Sequence, residues 1–248
     1  MDRHEREAVL KKAREFFKTS IADSHAANTE KVAKLDKFNV NPFTVHYLAS
    51  FAFGDESPES IAKVLLYPRV LGTSIATTFG NNVQTFCHEV LDGYASTTSG
   101  MDIEFVDALD DRKKYCQLKA GPQTINKDDV ATIEGHFVGL KNLAKTNHLS
   151  SFNPMTDCCV GILYGDSSQI SANYKQIERD YPVYAGKDFW HRLTGDPMFY
   201  DALISVFADC AKDYSETKLL DRTVEKLAAD IAKHPEVFNY KLEVFVDE

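Results

Sequence analysis

Four side chains near the middle of the chain have the types and the spacing for phosphoryl chemistry. Asp102 and Glu104 stand two apart in Met101-Asp102-Ile103-Glu104-Phe105-Val106, and Gln117 and Lys119 stand two apart in Lys114-Tyr115-Cys116-Gln117-Leu118-Lys119-Ala120. Residues two apart in an extended strand project to the same face. Two such strands laid side by side would set an acid pair beside an amide and an amine. Left unpaired in a low-dielectric setting, the carboxylates would be costly. A hard divalent cation removes that cost, because carboxylate and carbonyl oxygens suit Mg²⁺, which keeps several waters and holds phosphate oxygens. A lysine beside it could stabilise charge on a phosphorane-like transition state or orient an attacking water. Alternating polar residues also occur on half-exposed strands that bind nothing, so spacing alone leaves both readings open.

The elements that must position these groups are legible around them. The two alternating stretches, joined by the polar Asp110-Asp111-Arg112, predict a β-hairpin that Gly121-Pro122 ends. Asn126-Lys127-Asp128-Asp129 then opens a long helix to about Lys145, and Asp157–Gly165 reads as a fully buried strand. Upstream, a helix from about Asn82 to Leu91 carries Gln84, His88 and Glu89. Apolar residues at helical spacing predict helices over 5–18 and about 24–37, each with a basic outer face. Residues 44–53 read as a short buried helix, and Ser57-Pro58-Glu59 as a capped helix start. Gly72-Thr73-Ser74 and Gly80-Asn81-Asn82 bracket a stretch read as loop-rich, and 197–235 reads as mostly helical. The expectation is an α/β fold, a small mixed central sheet flanked by helices, with helix-rich N- and C-terminal parts. We expect one unit over 1–248, with 1–40 as a helical arm and 80–170 as the catalytic core.

Composition narrows the class without choosing a function. The 248 residues are 44% apolar and 26% charged, which excludes collagen-like, low-complexity and largely disordered chains. No stretch reaches the roughly 18 consecutive apolar residues of a membrane span, and the charged start Met1-Asp2-Arg3-His4-Glu5-Arg6 is unlike a secretory signal. A cytoplasmic protein with no membrane partner is expected. Cys87, Cys116, Cys158, Cys159 and Cys210 contain no C-x-x-C pair and read as reduced, mostly buried thiols, with no zinc site. The net charge of −9 by itself disfavours nucleic acid, but residues 151–248 hold most of the excess acid. A polyanion responds to the local field of a groove, so bulk charge decides nothing here. No G-x-x-x-x-G-K, H-E-x-x-H or G-x-S-x-G motif supports an ATPase, metalloprotease or hydrolase-elbow reading.

Asp102 followed by Gln117-Leu118-Lys119 resembles the PD-(D/E)-x-K nuclease core, in which an Asp on one strand precedes acid-x-Lys on the next. The strings Gly100–Phe105 and Tyr115–Asn126 resemble more specifically the PmeII-type family of type II restriction endonucleases. Tyr67–Ile75, Gly186-Lys187-Asp188-Phe189-Trp190 and Leu193-Thr194-Gly195 agree, so the resemblance runs from about residue 40 to 235. It implies a restriction-endonuclease-like core and Mg²⁺-dependent, sequence-specific hydrolysis of both strands of double-stranded DNA, leaving 5′-phosphate and 3′-hydroxyl ends. Met101 stands where the general core writes Pro, and Gln117 where it writes Asp or Glu. An amide oxygen can ligate a metal ion but brings no charge, so a carboxylate is missing. Glu104 is the first candidate to replace it and Glu89, from the preceding helix, the second. The implied metal set is Asp102, Gln117, the Leu118 carbonyl and Glu104 or Glu89, with Lys119 positioning or helping deprotonate the water.

A two-fold homodimer matching a palindromic site is implied, as is a cognate DNA methyltransferase as genetic partner. For DNA contacts, Arg69, Thr73, Ser74, Asn81 and Gln84 could read bases. Lys113 in the hairpin turn, and Asn126 and Lys127 at a helix N-terminus, could grip phosphate. Two other readings use the same fold: a DNA-binding protein weakened in catalysis by Gln117, or a structure-specific repair or recombination nuclease.

Overall fold

A computed structural model describes residues 1–91, 96–215 and 218–238. Its helices before the sheet are α1 (Arg3–Phe16), α2 (Asp23–Lys31), α3 (Pro42–Phe53), α4 (Pro58–Pro68) and α5 (Ile75–Val90). The hairpin strands β1 (Ile103–Val106) and β2 (Lys113–Lys119) follow, then α6 (Lys127–Thr146), α7 (Pro154–Asp157) and β3 (Cys158–Ile162). After these come α8 (Ala172–Ile177), β4 (Val183–Ala185), α9 (Lys187–Thr194), α10 (Phe199–Ser215), α11 (Leu219–Ile231) and α12 (Pro235–Phe238). The chain is α/β, as expected. It divides into two compact units: residues 1–20 with 79–210, and 21–78 with 211–248. The boundary falls inside the stretch 1–40 that reads as a helical arm.

In the first unit the four strands lie in the order β1-β2-β3-β4. β1 pairs antiparallel with β2, whereas β2, β3 and β4 run parallel. The register sets Glu104 opposite Tyr115, and Tyr115, Gln117 and Lys119 beside Cys158, Val160 and Ile162. The hairpin residues singled out for chemistry therefore share one sheet face. Helix α6 covers that face, burying Val130, Ile133 and Phe137 against Val160, Ile162 and Val183. Its N-terminus is fixed by a capping box in which Asn126 accepts from Asp128 and Asp129 N–H and Asp129 accepts from Asn126 N–H.

The opposite face carries Ile103, Phe105, Cys116 and Cys159, all buried. An aromatic cluster closes it: Phe105 packs on Phe189, and Trp190 on Phe86, Phe189 and Phe199. Gly161 admits the Phe189 ring, since a Cβ there would lie 2.4 Å from Phe189 Cε2. Trp190 is thus core, its indole N–H donating to Leu163 O at 2.8 Å. All five thiols are buried as well.

The second unit buries Val45, Ala49, Ile61, Leu66, Val224, Leu227 and Ile231. Two expectations fail in detail. The stretch between Gly72 and Asn82 is helical rather than loop-rich, because α4 runs through a π-helical segment, Arg69–Ser74, straight into α5. Its glycines keep helical backbone, and a Cβ on Gly72 or Gly80 would meet nothing within 4 Å. Helix α3 is not a buried helix: Val45 and Ala49 face the core, but Phe43 is 92% exposed, and Tyr47 and Phe51 are exposed too. Thr44, His46 and Ser50 mark no single outer stripe on this helix, so sequence could not show which side lacks cover. Among the described residues no helix is long and apolar enough to cross a membrane.

Candidate active site

Asp102 lies immediately before β1 and grips β2 on both sides of Gln117. Its N–H donates to Cys116 O at 3.0 Å, and its Oδ2 accepts from Leu118 N–H at 2.6 Å. Oδ1 accepts a short hydrogen bond from Gln84 Nε2 of α5. Burial holds the Asp102 carboxyl above the ordinary aspartate range, against the opposing pull of Leu118 N–H, the Lys119 charge and Gln84. Lys119 is half-buried and, among the described residues, enters no ion pair. Gln117 is buried, with its Nε2 2.7 Å from Gly100 O and 2.6 Å from His136 Nδ1 of α6.

Glu104 shares the face but is occupied. Lys113 Nζ meets it at 2.7 Å, and the Ser96 and Thr98 hydroxyls each donate to its Oε1 at 2.7 Å. Burial opposes its charge, yet these three donors outweigh that and bring its pKa down to about 2. Glu89 is exposed on α5. It lies five residues beyond Gln84, about 140° round the helix from the side chain that reaches Asp102. The buried Cys87, whose thiol is pushed up to about 12 by burial and then by Asp102, marks the same side as Gln84. Among the described residues no three His, Cys, Asp or Glu side chains gather as a cation site. The reason is local: amides occupy positions 84 and 117, and Glu104 is held two residues away from Asp102.

An acidic side chain is pinned beside a strand that ends in Gln-x-Lys, on a mixed four-stranded sheet. The model of the type II restriction endonuclease EcoO109I family matches residues 11–215. The chain belongs to that family. Among curated proteins none matches it. The family match supports the resemblance at the level of type II restriction endonucleases and not that of the PmeII-type group. As a member of the EcoO109I family the chain is a nuclease, a hydrolase whose substrate is DNA, and its core is restriction-endonuclease-like.

The remaining predicted DNA residues are spread over the family fold. Arg69, Thr73 and Ser74 lie in the second unit, where the Arg69 guanidinium donates to Lys37 O at 3.2 Å and stacks over Phe38. Asn81, Gln84, Lys113, Asn126 and Lys127 lie in the sheet-bearing unit. Of these, Lys113 serves Glu104, Asn126 caps α6 and Gln84 serves Asp102, while Asn81 and Lys127 are exposed. Arg112, next in the turn, is a bidentate partner of Asp157 at 2.7 and 2.8 Å. A broad cleft beyond the C-terminal ends of β2–β4 is walled by Gln123, Tyr164, Asp166, Lys187 and Asp188, and by none of the residues around Asp102. With two acids to one lysine it is a poor seat for a phosphate backbone.

His136, Ser96 and Thr98 were not anticipated from sequence. Each is an ordinary polar residue until the hairpin brings Gln117 or Glu104 to it. Sequence alone offers Gln84 as a base reader, because nothing local links it to a carboxylate eighteen positions away.

Proposed function

We propose that the chain is a type II, site-specific deoxyribonuclease that uses Mg²⁺ to cut both strands of double-stranded DNA, leaving 5′-phosphate and 3′-hydroxyl ends. One observation carries the reading: a desolvated Asp102 is fastened to Leu118 N–H, between Gln117 and Lys119. The donor set fits a hard cation, since Mg²⁺ takes one or two carboxylates and leaves its other positions to water and substrate phosphate. Asp102 and the Gln117 carbonyl oxygen would hold it, with the Leu118 carbonyl as a third oxygen. When bound, the cation supplies Lewis-acid polarisation of the scissile phosphate and neutralises charge as it develops. Lys119, which enters no ion pair among the described residues, orients the attacking water and stabilises the charge that accumulates on the phosphate. The occupied Glu104 holds the hairpin to the segment at Ser96 and Thr98, and the outward Glu89 is a weaker candidate for the missing carboxylate.

A chain with one such strand pair cuts one strand, so double-strand cleavage needs two copies, and a homodimer follows. The uncovered aromatic row Phe43, Tyr47 and Phe51 gives the chain an apolar surface of the kind partners cover. A cognate methyltransferase would protect the host's own sites. Exposed Asn81 and Lys127 are the first DNA contacts to test in the sheet-bearing unit, and Thr73 and Ser74 in the other. The second reading, a binding protein with little catalysis, rests on the single committed carboxylate.

Purified protein, incubated with unmethylated phage DNA and Mg²⁺ or EDTA, decides between these readings. Discrete Mg²⁺-dependent fragments, lost by roughly 10²-fold or more in Lys119→Ala with duplex binding retained, support the nuclease. A retained gel shift without cleavage favours the binding protein. Cleavage at branched junctions without sequence preference favours the structure-specific nuclease.

A further inference from the structure

A carboxylate presents the same atom whichever way it turns, but a primary amide does not. One end of the Gln117 side chain is an acceptor that a cation can use, and the other is a two-proton donor that repels it. A site built on glutamine therefore needs something to fix the amide's orientation, which a site built on aspartate or glutamate does not.

The surroundings of Gln117 meet that need. Gly100 O, 2.7 Å from Nε2, is a backbone carbonyl and can only accept, so the atom facing it is the nitrogen. His136 Nδ1 is 2.6 Å from the same nitrogen. It must accept the second N–H, which makes His136 a neutral imidazole carrying its proton on Nε2. Both amide hydrogens are thereby used on one side, and Oε1 is the end left over. The approach of the imidazole depends on Gly100. That residue has φ +81°, and a Cβ there would fall 2.6 Å from His136 Cγ. Histidine, glycine and glutamine thus form one fitted contact from α6, the turn before β1, and β2.

We infer that His136 is a positioning residue that sets the Gln117 amide with its carbonyl oxygen toward the metal position. This rests on the reading of Gln117 as a ligand. A carboxylate at 117 would not need His136, because either of its oxygens can face the cation and the imidazole can shift its proton to Nδ1 and donate to the other.

The test is a double-mutant cycle read by Mn²⁺ binding to the full-length protein without DNA, from the water-proton relaxation that bound Mn²⁺ produces. Thermal melts check that each variant is folded. Gln117→Ala is measured first; a weakened affinity supports the ligand role, and an unchanged one overturns that reading and this inference with it. Given the ligand role, His136→Ala is expected to weaken Mn²⁺ binding by about three- to tenfold, at or below the low end of outer-shell effects because Gly100 O still holds one amide hydrogen. In the Gln117→Glu background the same His136→Ala change is expected to leave affinity unchanged or tighter. Equal losses in both backgrounds would show that His136 acts through its general field or through packing, and would overturn the inference. No loss in the glutamine background would overturn it too, while leaving Gln117 a ligand.

Discussion

Asp102 and Glu104 stand on the same strand face, two residues apart, and meet opposite surroundings. Glu104 lies within reach of an ammonium and two hydroxyls, and its charge is held so firmly that its pKa falls to about 2. Asp102 is held by one backbone N–H and one amide, and burial pushes its pKa up. A satisfied carboxylate has nothing to gain from a cation, whereas a desolvated, partly satisfied one does. The first stabilises the hairpin; the second is the group to which the proposed function assigns the cation. Identical spacing in sequence thus yields two acids in different states, separated by what the neighbouring segments bring.

The most severe test of this division is Asp102→Asn, expected to reduce Mg²⁺-dependent cleavage by roughly 10³-fold or more while the melting temperature holds or rises, since a desolvated charge has been removed. A fall in stability with cleavage retained would reverse the assignment.

Glu104→Gln should do the opposite. Its lowered pKa corresponds to stabilisation on the order of 1–2 kcal/mol at neutral pH once screening of the exposed Lys113 is allowed for, roughly tenfold in the unfolding equilibrium. That contribution is complete above the unfolded pKa of 4.5 and disappears as pH falls towards the folded value of about 2. Urea unfolding of wild type and variant should therefore converge across that window. Asp102 runs the other way: its raised folded pKa means that ionisation costs stability at higher pH, a cost relieved as pH falls. Cleavage lost in Glu104→Gln as completely as in Asp102→Asn, with stability intact, would make Glu104 a ligand after all.

Gln84→Glu sets a second carboxylate beside Asp102 and should tighten Mn²⁺ binding by about tenfold, because added ligand charge favours a hard cation. Unchanged affinity would mean that the α5 side chain cannot reach the cation. The smallest effect is expected from Glu89→Gln, within about twofold in cleavage, as for surface changes in general. A large loss there would show α5 turning on DNA binding.

Much of the site-bearing part was legible in the sequence, and for physical reasons. The two-residue alternation predicted the β1–β2 pair and set Asp102 with Glu104, and Gln117 with Lys119, on one face of each strand, while the register of the pair brought the two sets to the same face. Asn126 and Asp129 marked the start of α6 through their capping roles, and the all-apolar Cys158–Ile162 marked a strand covered on both faces. The three-residue β4 carried too few positions for a period, and the glycines at 72 and 80 suggested loops where packing kept a helix.

What the sequence determined by itself was local: which residues can ligate, which face they share and where the elements begin. Those follow from backbone periods and side-chain chemistry, which act over a few residues. Tertiary structure alone decided the ionisation of the two acids, the partner of Gln117 and the outward turn of Glu89. The first two depend on groups from β2, α5, α6 or the Ser96–Thr98 segment brought within about 3 Å, the range over which a hydrogen bond acts, and the third on which side of α5 packs inward.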